Sequence, residues 1–216
     1  MDVSKSLAPD SSALGETRPG PCIIQRQCCS GEVAVHPGSN LSGQRIRLRR
    51  MSPRSRSSQL LGLLAWLLAT FAAAAVGAVA SVDAASFYAQ LTKPSWAPPA
   101  GVFGPVWSAL YALMAVAAWL VWRSVRSTAG SRAVALGLFG VQLAANVLWS
   151  WLFFAWHRGA LAAVEVLVLL ALIVATVVAF WRISRPAALL LVPYLAWVSF
   201  ASVLTWAVWR SNPGLL

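Results

Sequence analysis

Beyond residue 58 polar positions become sparse, and hydrophobic ones gather into five runs over 60–80, 103–122, 133–156, 160–181 and 187–209. Each is close to the roughly 20 residues that carry an α-helix across a bilayer. None alternates polar with apolar over the ~10 residues a membrane-spanning strand would need. A helix satisfies its own backbone hydrogen bonds in hydrocarbon, so the pattern predicts an all-α integral membrane protein, a bundle of five transmembrane helices over 59–212. Residues 1–58 carry no sustained period and are rich in Ser, Gly, Pro and Arg. They read as a disordered basic tail. Met51 is an alternative start, which would leave 1–50 untranslated.

Composition agrees with the pattern. The 216 residues are 59% hydrophobic and 11% charged, against about 25% charged in a soluble domain. A net charge of +11 invites a nucleic-acid partner, but nine of the seventeen Lys and Arg lie in the tail and the others stand singly between apolar runs. A nucleic-acid face would cluster them, so no nucleic acid is expected. Such charges are topology signals instead. Arg54, Arg56, Arg123, Arg126, Arg132, Arg182 and Arg185 fall on one side, and Lys93, Arg158 and Arg210 on the other. The excess places the N-terminus in the cytoplasm and the proline-rich first loop outside. Acidic residues at Asp2, Asp10, Glu16 and Glu32 argue against an organelle targeting peptide. The three cysteines, Cys22, Cys28 and Cys29, all lie in the tail and carry no metal-site spacing.

Intramembrane polar groups point to function. Gln142, Asn146 and Ser150 recur at four-residue spacing on the third helix, hence on one face. At 1.5 Å per residue, Asn146 lies about 15 Å and Trp149 about 11 Å below the outer end. On the second helix Trp107 and Tyr111 share a face at about 5 and 12 Å, and on the fifth Trp197 lies about 18 Å down, one turn from Ala201. These groups converge in the outer half, beneath the loop "KPSWAPP", which predicts a cavity between helices two, three and five with the loop as a lid. Its rings and amides suit a flat, large, mostly apolar ligand. Plainer roles remain open: interface anchoring for Trp107, core filling for Trp149 and Trp197, and helix–helix hydrogen bonding for Asn146. Glu165 is expected to hydrogen-bond near its helix start or to pair with Arg158. Pro193 is expected to kink the fifth helix or to leave a carbonyl exposed, with no function required. Small residues four apart, Ala133 and Gly137, Gly140 and Ala144, permit close approach of a helix from a second copy or from within the monomer.

The segments "FYAQLTKPSWAPPAGVFGPVWSALYALMAVAAWLVWR" (87–123), "QLAANVLWSWLFF" (142–154) and "VPYLAWVSFASVLTWAVWRSNPG" (192–214) resemble the TspO/MBR family of tryptophan-rich sensory and translocator proteins. The likeness spans about 60–214 in order. The resemblance implies five helices, a homodimer and binding of porphyrins such as protoporphyrin IX, with no other cofactor required. Porphyrins, lipids or sterols and the bilayer itself are the implied partners. The implied ligand-binding residues are Tyr88, Trp96, Pro98, Trp107, Tyr111, Asn146, Trp149, Trp197 and Ala201. Trp107 and Trp197 would be catalytic only if the protein degrades porphyrin under light and oxygen. For the small residues of the third helix, Ala133, Gly137, Gly140 and Ala144, the resemblance favours a homodimer seam over packing within the monomer. Animal members carry a Tyr in a C-terminal cholesterol motif where this chain has Trp206, a change that disfavours steroid transport. The same loose pattern matches Val82, Tyr88 and Lys93, which shows how little it demands. The expected reading is a tetrapyrrole-binding sensor in a bacterial cell membrane. Porphyrin breakdown and porphyrin or lipid transport are the alternatives.

Overall fold

The structure, a computed structural model, describes residues 55–125 and 127–216. The tail and the alternative start at Met51 lie outside the described residues, as do Arg54 and Arg126 of the charge count. Among the described residues five spans are long and apolar enough to cross a membrane: Arg56–Ala80, Ala100–Arg123, Ala129–Ala155, Gly159–Trp181 and Arg185–Ser211. With family membership established below, the protein is a multi-pass integral membrane protein.

The first helix, α1 (Arg56–Ala80), starts four residues before its apolar run because Ser55 caps it, its side chain accepting from the Ser58 N–H at 3.2 Å. A short helix that the hydrophobic pattern does not announce, α2 (Ala84–Gln90), follows. The loop after it carries two turns, closed by the Ala97 N–H on the Pro94 carbonyl and the Val102 N–H on that of Pro99, both at 3.0 Å. Then come α3 (Phe103–Arg123) and α4 (Ala129–Ser150), the latter capped by Thr128. Beyond Ser150 the helix widens into a π turn over Trp151–Ala155, where the Trp156 N–H reaches the Trp151 carbonyl at 2.8 Å. His157 then turns the chain at φ 50° and lays its ring 4.3 Å from that of Phe87.

After α5 (Gly159–Trp181) the fifth span is interrupted. It comprises α6 (Arg185–Leu190) and α7 (Val192–Ser211), separated at Leu191. Pro193 supplies no N–H to the preceding turn, so the ladder breaks just ahead of it. The expected kink at Pro193 is this break.

The core centres on α3, which packs against α1, α4, α6 and α7. Met114, Ala115, Ala117, Ala118 and Val121 on α3 are wholly buried. Hydrocarbon gives helices little hydrophobic reason to associate, so close approach by small side chains matters more than in water. Gly62 shows this on α1. A Cβ there would collide with the Trp122 ring of α3. One turn earlier the Trp119 Nε1–H donates to the Gln59 carbonyl at 2.9 Å. On α4, Ala133, Gly137, Gly140 and Ala144 are exposed on the outside of the bundle, and nothing lies within 4 Å of a Cβ built on either glycine. Among the described residues, then, these small residues have no packing partner within the monomer.

Gly62→Ala is expected to lower stability by about 1–3 kcal/mol through overpacking against Trp122. Gly137→Ala, where a Cβ meets open space, should leave a detergent-solubilised monomer at least as stable, by up to about 1 kcal/mol. Thermal melts of both variants check the contrast.

Candidate ligand-binding cavity

One side of the bundle holds a cavity of about 620 Å³, within the 300–1,000 Å³ typical of small-molecule sites. Its walls come from α1, α2, α3, α4, the π turn and α7. Tyr88, Trp107, Tyr111, Asn146, Trp149, Trp197 and Ala201 all line it, so seven of the nine residues named from the sequence meet around one space. Trp96 and Pro98 are not in the wall. The Trp96 ring packs edge-on against Phe200 at 5.8 Å. Pro98 contributes its carbonyl, which accepts from the Tyr88 hydroxyl at 3.0 Å.

The polar floor is built on Asn146, which is buried to 2% exposure. Its Oδ1 accepts from the Tyr111 hydroxyl at 2.7 Å, and its Nδ2 donates to the Tyr194 hydroxyl at 3.1 Å. One amide thus ties α4 to α3 and α7. One turn along α4, Gln142 donates to the Met114 sulfur at 3.8 Å, so the four-residue polar spacing does mark the inward face. The third member, Ser150, lies beside Gly77 of α1.

Aromatic rings form the remaining lining. Trp107 lies 5.8 Å from Tyr111 and 6.2 Å from Tyr194. Trp197 meets Phe103 edge-on at 5.9 Å, and Phe103 meets Tyr88 at 5.5 Å. Trp149 stacks on Phe153 at 5.4 Å and 12°. Its Nε1–H is buried with no hydrogen-bond partner among the described residues, a donor left for an acceptor in the cavity.

The loop does not itself form the ceiling, as the sequence suggested. Tyr88 and Ala84 of α2, with Ala100 and Phe103 at the start of the second span, sit over that end. The loop braces them. Asn212, buried at the end of α7, accepts from the Thr92 N–H at 2.8 Å and donates to the Thr92 carbonyl at 2.9 Å and the Val208 carbonyl at 2.7 Å. Lys93 turns its ammonium back onto the Tyr88 and Leu91 carbonyls at 2.6 and 3.0 Å. Burial pushes the Tyr88 phenol above its ordinary pKa.

Two further sequence expectations are corrected. The slot is not confined to helices two, three and five: the first span supplies Phe71, Ala74, Ala75, Gly77 and Ala78. Glu165 neither hydrogen-bonds near its helix start nor pairs with Arg158, since both its carboxylate oxygens are buried without a partner among the described residues. It lies outside the cavity wall. Phe103, Phe153 and Phe154 also line the space. A Phe within an apolar run gives no sequence sign of whether it faces lipid or ligand.

Comparison with known proteins adds to this geometry. A family model described as the TspO/MBR family matches residues 65–210. The human translocator protein is 43% identical over 128 residues, covering 59% of this chain and 76% of its own length. The protein CrtK of Rhodobacter capsulatus is 43% identical over 151 residues, 69% of this chain and 91% of its own. The tryptophan-rich protein TspO of Chlorobaculum tepidum is 41% identical over 131 residues, 59% and 80% respectively.

Replacing Asn146 with Leu should cost about 1–2 kcal/mol, because two buried tyrosine hydroxyls lose their shared partner. Tyr111→Phe should cost less, since it removes only one of the two bonds. Double-mutant cycles followed by denaturant unfolding in mixed micelles measure both.

Proposed function

Because the chain belongs to the TspO/MBR family, we propose that it is a tetrapyrrole-binding protein that senses porphyrin level and oxidative stress. The observation that carries this reading is the shape and chemistry of the cavity. Indoles at Trp107, Trp149 and Trp197 and phenols at Tyr88 and Tyr111 surround it. Its polar groups are few and sit at definite points, chiefly Asn146 and the free Trp149 N–H. A planar ring system would slide between Trp107 and Trp197, and polar substituents would meet the Asn146 amide and the indole donor. Relative to water, apolar burial supplies about 25 cal/mol per Å² before ordering costs.

The protein would sit in a bacterial cell membrane with its N-terminus in the cytoplasm. The open small-residue face of α4 at Ala133, Gly137, Gly140 and Ala144 would receive the same face of a second copy. A second reading, porphyrin breakdown driven by light and oxygen, is favoured by one observation: Trp107 and Trp197 both face the cavity. There they could exchange electrons with a bound, excited ring.

Protoporphyrin IX titrated into purified protein should quench tryptophan fluorescence. Trp197→Phe should preserve the helical circular dichroism and melt while raising Kd about threefold to tenfold. Identical quenching and affinity in both proteins would remove the cavity assignment. Illumination in air separates the readings: equal product yields from wild type and a Trp107→Phe/Trp197→Phe double variant would reduce the protein to a binder.

A further inference from the structure

Toward the loop the cavity is capped by Tyr88, Ala84 and Phe103, with exposed Val82, Ala85 and Ala100 on its rim, and it is not closed all round. Near its start α1 leans on α3, through the Trp119–Gln59 hydrogen bond and the contact of Gly62 with Trp122. Toward its other end α1 has crossed to α4: a Cβ on Gly77 would lie 3.4 Å from the Ser150 hydroxyl. α1 therefore diverges from α3 along its length. The gap between them is bordered by Phe71, Ala75 and Ala78 on α1 and by Gly104 and Ser108 on α3. All five line the cavity and are also exposed on the outside of the bundle. Phe71 marks its inner limit, with its ring 6.3 Å from that of Tyr111. Phe71 is 42% exposed and Tyr111, directly across, 7%. The wall passes from outer surface to interior within that distance.

The border carries no charge and only one hydroxyl. Ser108 spends that hydroxyl on the Gly104 carbonyl at 2.9 Å. Nothing on the border attracts a hydrated ligand. The loop side is the opposite. There Asn212 ties the cap to the end of α7 through two hydrogen bonds with the Thr92 backbone, Tyr88 and Lys93 hold the cap segment to itself through three more, and opening it would expose the Asn212 and Thr92 groups.

We propose that ligands enter and leave the cavity sideways, from solution in the bilayer through the α1–α3 gap, while the Asn212 latch keeps the loop side shut. This rests on the ligand-binding reading and narrows its ligand class to flat molecules that first dissolve in lipid. A ligand already in hydrocarbon gains little more from apolar burial. Selection then falls to aromatic contact and to hydrogen bonds with Asn146 and the Trp149 indole N–H.

The test needs no porphyrin. Thr205 lines the cavity and is 3% exposed, so a thiol there is reached only through the cavity. In full-length protein with Cys22, Cys28 and Cys29 replaced by Ser and Thr205→Cys added, reconstituted in liposomes, a lipid-soluble maleimide should label faster than a charged one. Adding Gly104→Trp, whose side chain starts in open space, should slow that labelling about tenfold. Ser108→Trp serves as an independent aperture variant. Asn212→Ala should leave the rate within about twofold. Faster labelling by the charged reagent would overturn the proposal, as would a rate raised by Asn212→Ala and unmoved by both aperture variants. Failure of wild type to bind protoporphyrin would instead sink the function reading, and the labelling result would stand apart from it.

Discussion

A single buried amide, that of Asn146, fixes the distances on which the site depends. It joins α4 to hydroxyls on α3 and α7 in a region where hydrocarbon offers no replacement partner. Breaking either bond strands a polar group, so the three helices cannot drift apart cheaply. Trp107 and Tyr111 are carried by one of these helices and Trp197 and Ala201 by another. The separation of the cavity's aromatic walls therefore follows from two hydrogen bonds at its floor. Above the floor α3 and α7 meet through rings, Phe103 edge-on to Trp197.

The cap works on a different principle. Prolines at 94, 98 and 99 restrict the loop before it folds, reducing the entropy lost on ordering it. Asn212 then pairs with the backbone of Thr92 much as a neighbouring strand would, and Lys93 satisfies carbonyls left at the end of α2. With the floor rigid and the cap latched, α1 is held to α3 near its start and to α4 and the π turn toward its other end. That helix touches α3 tightly at one end and α4 at the other, which is where a lateral opening arises.

Much of this was legible in the sequence, for identifiable reasons. Span length is dictated by bilayer thickness, so five runs gave five spans. Polar residues are scarce in such spans, which made Gln142 and Asn146 conspicuous, and helical spacing placed Trp107 beside Tyr111. The wall from α1 was not legible, because alanines and a phenylalanine in an apolar run look the same whether they face lipid or a cavity. α2 was missed because seven residues next to a turn show no usable period. The Asn212 clamp was missed because its partner lies 120 residues away and a lone Asn at a helix end is ordinary. Glu165 was misread because proximity to Arg158 in sequence does not bring their side chains together. Pro193 was placed correctly as an interruption, since a missing N–H is a local fact.

The most direct test of the account is density for protoporphyrin IX in an experimental structure of the complex. The account predicts the macrocycle between Trp107 and Trp197, with the Asn146 hydrogen bonds intact beneath it and the Asn212–Thr92 clamp closed. A macrocycle resting on the outer surface of the bundle, with those two indoles turned to lipid and side chains filling the space between α1, α3 and α7, would contradict it.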